Sequence, residues 1–99
     1  MKTAIVKGVC NATIVKRKEE LGYTLTIISR RTGIIISSVS NLLRGVTPWR
    51  VDRLYLILNV LQLEIEDVLS DQKTIDHYKR ELQIESEWHS SQTNMSQEA

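Results

Sequence analysis

The chain has 99 residues, of which 41% are hydrophobic, and its 13 basic and 12 acidic residues leave a formal net charge of +1. This length fits one small domain with an appendage and argues against an enzyme with a deep, two-layered active site, so we expect no enzymatic activity. Cys10 is the only cysteine, which excludes an intramolecular disulfide and argues against a cysteine-based metal site. No secretory signal and no apolar run of membrane-spanning length is visible, and a soluble cytoplasmic protein is therefore expected.

Two elements are predicted at the start of the chain. Residues 3–7 alternate weakly and could form an ordered arm or a frayed end, and the frayed end is the more common state of a terminus. Asn11 can cap a first helix over residues 12–21, in which Ile14 points inward and which ends at Gly22.

The second helix is predicted over residues 25–32. Thr24 can cap it through its hydroxyl group, and Ile28 is its apolar anchor. Gly33 follows where a C-cap is expected, and glycine adopts the left-handed conformation of such a cap at low cost. A short capped helix followed by a sharp turn and another helix is the outline of a helix-turn-helix.

The third helix, predicted over residues 36–44, has one apolar and one polar face. Apolar residues recur at i, i+3 and i+4 and predict an inward face, while polar residues recur at i, i+4 and i+7 and predict an outward face suited to hydrogen bonding. The inward residues are Val39, Leu42 and Leu43. The outward residues are Ser37, Asn41 and Arg44.

A fourth helix is predicted from its start signal and its spacing. Thr47 can cap it, and Pro48 can take the first position, where a missing amide hydrogen costs nothing. Trp49 beside Arg50 could brace a phosphate backbone or cover the edge of the core, and covering the core is the favoured interpretation. Its apolar residues are expected to form much of the core: Val51, Leu54, Ile57, Leu58 and Leu61. A short fifth helix supplies Ile65, Val68 and Leu69.

Residues 71–88 predict an amphipathic helix whose apolar stripe is too narrow for it to stand alone. The stripe consists of Ile75, Tyr78, Leu82 and, more loosely, Trp88. The helix could pack onto its own domain or pair with the same helix of a second subunit, and we favour pairing because the domain already has five helices. Residues 89–99 lack large apolar groups, which predicts disorder.

Charge is distributed unevenly along the chain. Residues 1–70 hold ten basic and six acidic residues, whereas residues 71–99 hold three basic and six acidic ones. This asymmetry indicates a part that faces a polyanion, although two ordinary solvated surfaces would give the same count. His77 and His89 have no third ligand at metal spacing, so neither a metal ion nor a cofactor is expected.

One pattern spans the second, third and fourth predicted helices. It consists of Thr24, Ile28, Ser29, Gly33, Ile34, Val39, Ser40, Leu42 and Gly45, followed by Pro48 and a leucine-rich helix. With this pattern, residues 11–70 resemble the lambda-repressor-like DNA-binding domains of the Cro/Xre family. The resemblance implies an all-α fold, a five-helix helix-turn-helix domain in residues 1–70, with the C-terminal helix added to it. It also implies that the third helix enters the major groove of DNA.

The resemblance also implies which residues contact DNA. The base-contacting positions are Ile36, Ser37, Ser38 and Asn41. The phosphate-contacting positions are Thr24, Arg30, Arg44, Thr47 and Arg50, together with amides around Thr24 and Thr47. The chain departs from the family at Leu25, where glutamine is frequent, at Ile35, where a polar N-cap is usual, and at Gln62, where glycine is frequent.

The isoleucine run at residues 34–36 leaves an alternative open. In the family Ile34 corresponds to a core position, so Ile35 and Ile36 would lie exposed at the start of the third helix, where apolar groups cost solubility unless covered. Either one of them packs beneath Arg30 or Arg31, or they contact thymine methyl groups in the major groove.

Two functions remain. The first is a homodimeric repressor of prokaryotic or phage type that binds a pseudo-palindromic operator in double-stranded DNA. The second is a protein-interaction module with the same fold, such as an antitoxin-like or anti-repressor protein. The clustered arginines favour DNA binding, whereas the absence of glutamine at the usual reading positions favours a protein partner.

Overall fold

The computed structural model describes residues 4–83, which are mostly helical with one small sheet. The elements in chain order are β1 (Ile5–Val6), α1 (Asn11–Leu21), α2 (Leu25–Thr32), α3 (Ile36–Leu43), β2 (Trp49–Arg50), α4 (Val51–Leu61), α5 (Ile65–Val68) and α6, which begins at residue 72 and continues to residue 83. Within these residues no helix is both long and apolar enough to cross a membrane. The predicted tail at 89–99, Trp88 and His89 lie outside the described residues.

Helix α4 forms the centre of the core, as predicted. All five of its expected core residues are buried, and the helix packs against α1, α2 and β2. Burial of a leucine or isoleucine side chain stabilises a fold by about 1.5–3 kcal/mol, so this helix contributes a large share of the apolar stabilisation. The predicted inward residues of α1, α2 and α3 complete the core around it: Ile14, Ile28, Val39, Leu42 and Leu43.

The predicted start of α4 is wrong, because Trp49 and Arg50 form an antiparallel pair with the N-terminal arm. Val6 pairs with Trp49 and Ile5 pairs with Arg50, and the amide of the following residue, Val51, donates to the carbonyl of Ala4 at 3.0 Å. These extended residues therefore have backbone partners outside the helix, and α4 begins only at Val51. The arm is ordered at residues 5–6, and the Thr47 and Pro48 start signal is not used.

Helix caps follow the sequence at α2 but not at α1. Thr24 accepts from the amide of Ile27 at 3.2 Å, as predicted. Asn11, however, is the first residue of α1 rather than its cap, and Cys10 occupies the N-cap position without a side-chain cap bond. Gln62 keeps the left-handed turn after α4, with φ of 58°, although glycine is usual there in the resembled family.

Helix α6 packs onto its own domain. Ile75 and Tyr78 are each 4% exposed, and Leu82 packs partly buried against the same core. Lys79 also forms an ion pair with Glu66, which ties α6 to α5. Ile75 and Tyr78 thus pack against the core of their own chain, and the favoured alternative, pairing of this helix with a second subunit, stays a prediction.

Candidate nucleic-acid interface

The turn between α2 and α3 is fixed by hydrogen bonds from small hydroxyl side chains. Gly33 takes the expected left-handed conformation, with φ of 78°, and its amide donates to the carbonyl of Ser29 at 2.9 Å. The Ser29 hydroxyl donates to the carbonyl of Ile34 at 2.6 Å. Thr32 donates its hydroxyl to Ile28 and accepts from the amide of Ile34. These bonds fix the turn that joins the two helices. The sequence predicted the conformation of Gly33 but not these hydrogen bonds.

The four predicted base-contacting residues lie on the first turns of α3. Ser37 and Ile36 are exposed, and Ser38 and Asn41 are half-buried. With 3.6 residues per turn, Ser37, Asn41 and Arg44 project within about 60° of one another, opposite the buried face of the helix. The sequence therefore placed this outward face correctly.

Asn41 and Arg44 are joined on that face. The Arg44 guanidinium donates to Asn41 Oδ1 at 3.1 Å. An amide oxygen has two lone pairs, so the contact uses one of them and holds the Asn41 side chain in one orientation. The backbone carbonyl of Asn41 also accepts from the amides of Val46 and Thr47, at 2.9 and 3.3 Å.

The predicted phosphate-contacting residues fall into two groups. The side chains of Thr24, Arg30, Arg44 and Arg50 are exposed. Thr47 is half-buried, and its amide donates to the carbonyl of Asn41 at 3.3 Å. At the start of α2, the geometry of a helix leaves its first amides without intrahelical partners. The Thr24 hydroxyl accepts from the amide of Ile27, and the Thr24 carbonyl accepts from the amide of Ile28 at 3.1 Å.

The α2–α3 region carries positive charge only. Residues 21–51 contain four arginines and no aspartate or glutamate. Arg31, which sequence reasoning did not place in the site, donates to the Tyr23 hydroxyl at 3.0 Å and lies 4.8 Å above the Tyr23 ring. Such a contact holds the guanidinium at the surface by cation–π attraction. Positive charge in a segment that contains no carboxylate of its own favours a polyanionic partner.

Asn11 links three elements behind this surface. Its Oδ1 accepts from the Trp49 indole at 2.7 Å, and its Nδ2 donates to the carbonyl of Leu42 at 3.4 Å. Trp49 is 4% exposed, as the core-covering interpretation predicted. The asparagine thus connects the start of α1, the end of α3 and β2. No local sequence signal identifies this bond, because Asn11 and Trp49 are distant in the chain.

An apolar edge lies at the start of α3. Ile34 is buried, as the resemblance implies, whereas Ile35 is 67% exposed and Ile36 is 46% exposed. Both side chains are thus exposed, whereas the first alternative required one of them to be packed beneath an arginine. Val46, in the loop after α3, is 63% exposed.

Residues 4–83 contain few side chains suited to metal binding or nucleophilic chemistry. No group of three histidine, cysteine, aspartate or glutamate side chains in this part of the chain could hold a metal ion. The exposed Cys10 thiol accepts from the Thr13 hydroxyl at 3.2 Å, and this bond lowers the pKa of Cys10 below its usual value. Burial raises the pKa of Tyr78 far above its usual value, so its hydroxyl stays protonated.

No protein-family model, curated protein or solved structure matches the chain. Assignment to a class of protein therefore depends on its own residues and contacts. Two features bear directly on function. One is the exposed start of α3, and the other is the segment of residues 21–51 around it, which contains no carboxylate.

Proposed function

We propose that this chain is a sequence-specific double-stranded DNA-binding regulator in which α2 and α3 form a lambda-repressor-like helix-turn-helix of the Cro/Xre type. Helix α3 enters the major groove with its first turns, as recognition helices do. The observation that carries the proposal is the exposed outer face of α3, which lies in a segment with four arginines and no carboxylate.

Each group of residues has a role in this proposal. Ile36, Ser37, Ser38 and Asn41 contact base edges, which differ between base pairs in the major groove. Arg30, Arg44 and Arg50 contact phosphates, as do the first amides of α2 beside Thr24. The hydrogen-bonded turn at Ser29 fixes the angle between the two helices, so that both kinds of contact form together.

The regulator acts as a homodimeric repressor on a pseudo-palindromic operator. Two half-sites engaged together raise affinity far above that of one domain. The seam lies outside Ile75 and Tyr78, because those side chains are buried in one chain. Of the three residues first expected at the seam, only Leu82 keeps a partly exposed side chain.

The second candidate is a protein-interaction module with the same fold. Exposed Ile35 and Ile36 favour it, since solvent-exposed aliphatic groups side by side mark contact surfaces. An apolar protein partner does not by itself require the arginines, whereas DNA uses both features. We therefore place DNA binding first.

An electrophoretic shift against random genomic fragments, followed by footprinting, tests the proposal. Arg44→Glu should abolish the shift, because it places a carboxylate against the phosphate backbone. Lys73→Glu makes the same change of charge on α6, where Lys73 is exposed, and should leave most of the binding intact. Absence of any shift with the unmodified chain, or equal loss with both variants, would contradict DNA binding through α3.

A further inference from the structure

The apolar edge formed by Ile35 and Ile36 is not required by the core. Ile34 already fills the buried position of the turn, at 7% exposure. Ile35 occupies the N-cap of α3 without providing a side-chain cap bond, so it contributes nothing to the helix that a serine would not do better. Both side chains are available to a ligand.

Few polar side chains that could recognise a base lie at the start of α3. Arginine and lysine recognise guanine, and asparagine and glutamine recognise adenine, through paired hydrogen bonds to the base edge. The polar side chains of the first turn of α3 are only the hydroxyls of Ser37 and Ser38, and the amide of Asn41 lies one turn later. The distinguishing surface of the first turn is therefore aliphatic.

One group in the major groove matches an aliphatic surface, namely the C5-methyl group of thymine. Cytosine carries hydrogen at C5, and 5-methylcytosine carries the same methyl group as thymine. The charge of residues 21–51 selects DNA over an apolar protein as the occupant, because its four arginines have no carboxylate among them.

We propose that Ile35 and Ile36 read the C5 position of pyrimidines, so that the domain prefers thymine or 5-methylcytosine to uracil or unmethylated cytosine at one or two positions of each half-site. This inference rests on the proposed function and specifies its ligand. Burial of one methyl group against an aliphatic side chain changes affinity about fourfold, which sets the expected effect per contacted base.

The test uses duplexes that the protein itself selects from a randomised library. Each selected duplex is prepared with thymine, with uracil in place of each thymine in turn, and with 5-methylcytosine in place of each cytosine in turn. Affinity is measured by fluorescence anisotropy for the unmodified chain, Ile35→Ala, Ile36→Ala and Val46→Ala. Circular dichroism checks that each variant is folded, as expected for exposed positions.

For the unmodified chain, replacing thymine by uracil at a contacted position should lower affinity about fourfold, and methylating a cytosine there should raise it similarly. The same base changes should have an effect of less than about twofold in Ile35→Ala or Ile36→Ala, since the methyl group then has no partner. Val46→Ala, an exposed aliphatic change outside α3, should keep the ratio of the unmodified chain.

Three results would overturn the inference. If the selected duplexes bind equally well with thymine or uracil, no methyl group is read. If the thymine preference persists in both isoleucine variants, other residues read it. If the unmodified chain enriches no duplex, the proposed function fails as well, which the first two results leave intact.

Discussion

At the scale of single residues, the turn at Gly33 determines how α3 is presented. The residue lies at φ of 78°, and no heavy atom beyond Gly33 and its two chain neighbours lies within 4 Å of the place where a Cβ atom would be. A substitution there therefore changes backbone strain without a steric clash. The Ser29 hydroxyl donates to the carbonyl of Ile34 and the Thr32 hydroxyl accepts from the amide of the same residue, so the backbone after Gly33 is hydrogen-bonded at both groups.

Gly33→Val should lower the free energy of unfolding by about 1–2 kcal/mol, because a left-handed conformation is costly for a residue with a Cβ atom. Gly33→Asn should lower it by less, since asparagine tolerates that conformation. Urea unfolding of the three proteins measures both changes. A valine variant as stable as the unmodified chain would show that the left-handed conformation is not needed.

A second residue-scale prediction concerns the bond between Asn11 and Trp49. Asn11→Ala removes the acceptor of a buried indole N–H and should lower the free energy of unfolding by about 1–3 kcal/mol. In a Trp49→Phe background the same change should cost less, because no indole N–H remains to be left unpaired. Equal losses in both backgrounds, measured by urea unfolding, would mean that this bond does not connect α1 to β2.

At the scale of elements, the sequence predicted what depends on local patterns. The bounds of α2, the cap at Thr24 and the apolar faces of α3 and α4 all follow from spacing and short-range capping, and the structure confirms them. The pairing of β1 with β2 depends instead on residues far apart in the chain. The same long separation explains why Asn11 was predicted as a cap.

The candidate site was predictable to a similar degree. The outward position of Ser37 and Arg44 follows from helical periodicity, whereas the bond from Arg44 to Asn41 depends on side-chain orientation. The position of α6 was not decidable from an amphipathic stripe, because such a stripe fits its own core or a second subunit equally well. Burial of Ile75 and Tyr78 resolves that choice for one chain.

Truncation after Ser70 should therefore destabilise the domain itself. Loss of the buried Ile75 and Tyr78 side chains should lower the free energy of unfolding by about 3–6 kcal/mol. Truncation after Gln83, which keeps every described residue of α6, is the matched control and should retain most of the stability. Urea unfolding with sedimentation separates the outcomes. If truncation after Ser70 left the stability unchanged and converted a dimer to monomers, the result would instead support a subunit seam through α6.

At the scale of the whole molecule, charge is separated between two regions. The charged residues within positions 21–51 are all arginines. Helix α5 and its N-cap instead hold three acidic residues, Glu64, Glu66 and Asp67. Lys79 is paired with Glu66, and this contact lowers the pKa of Glu66. A cluster of arginines attracts a polyanion, whereas a cluster of carboxylates repels one.

The affinities of Asn41→Ala and Arg44→Ala test the central claim most directly. They are measured against a selected operator, a point-mutated operator and random DNA at several salt concentrations. Asn41→Ala should lower operator affinity by about 1–3 kcal/mol and relax preference at one base pair of each half-site. Arg44→Ala should weaken binding to all three DNAs to a similar degree. It should also reduce the slope of log affinity against log salt concentration by about one unit per lost phosphate contact. Equal losses on all three DNAs for Asn41→Ala, or no effect of either change, would contradict DNA reading by α3.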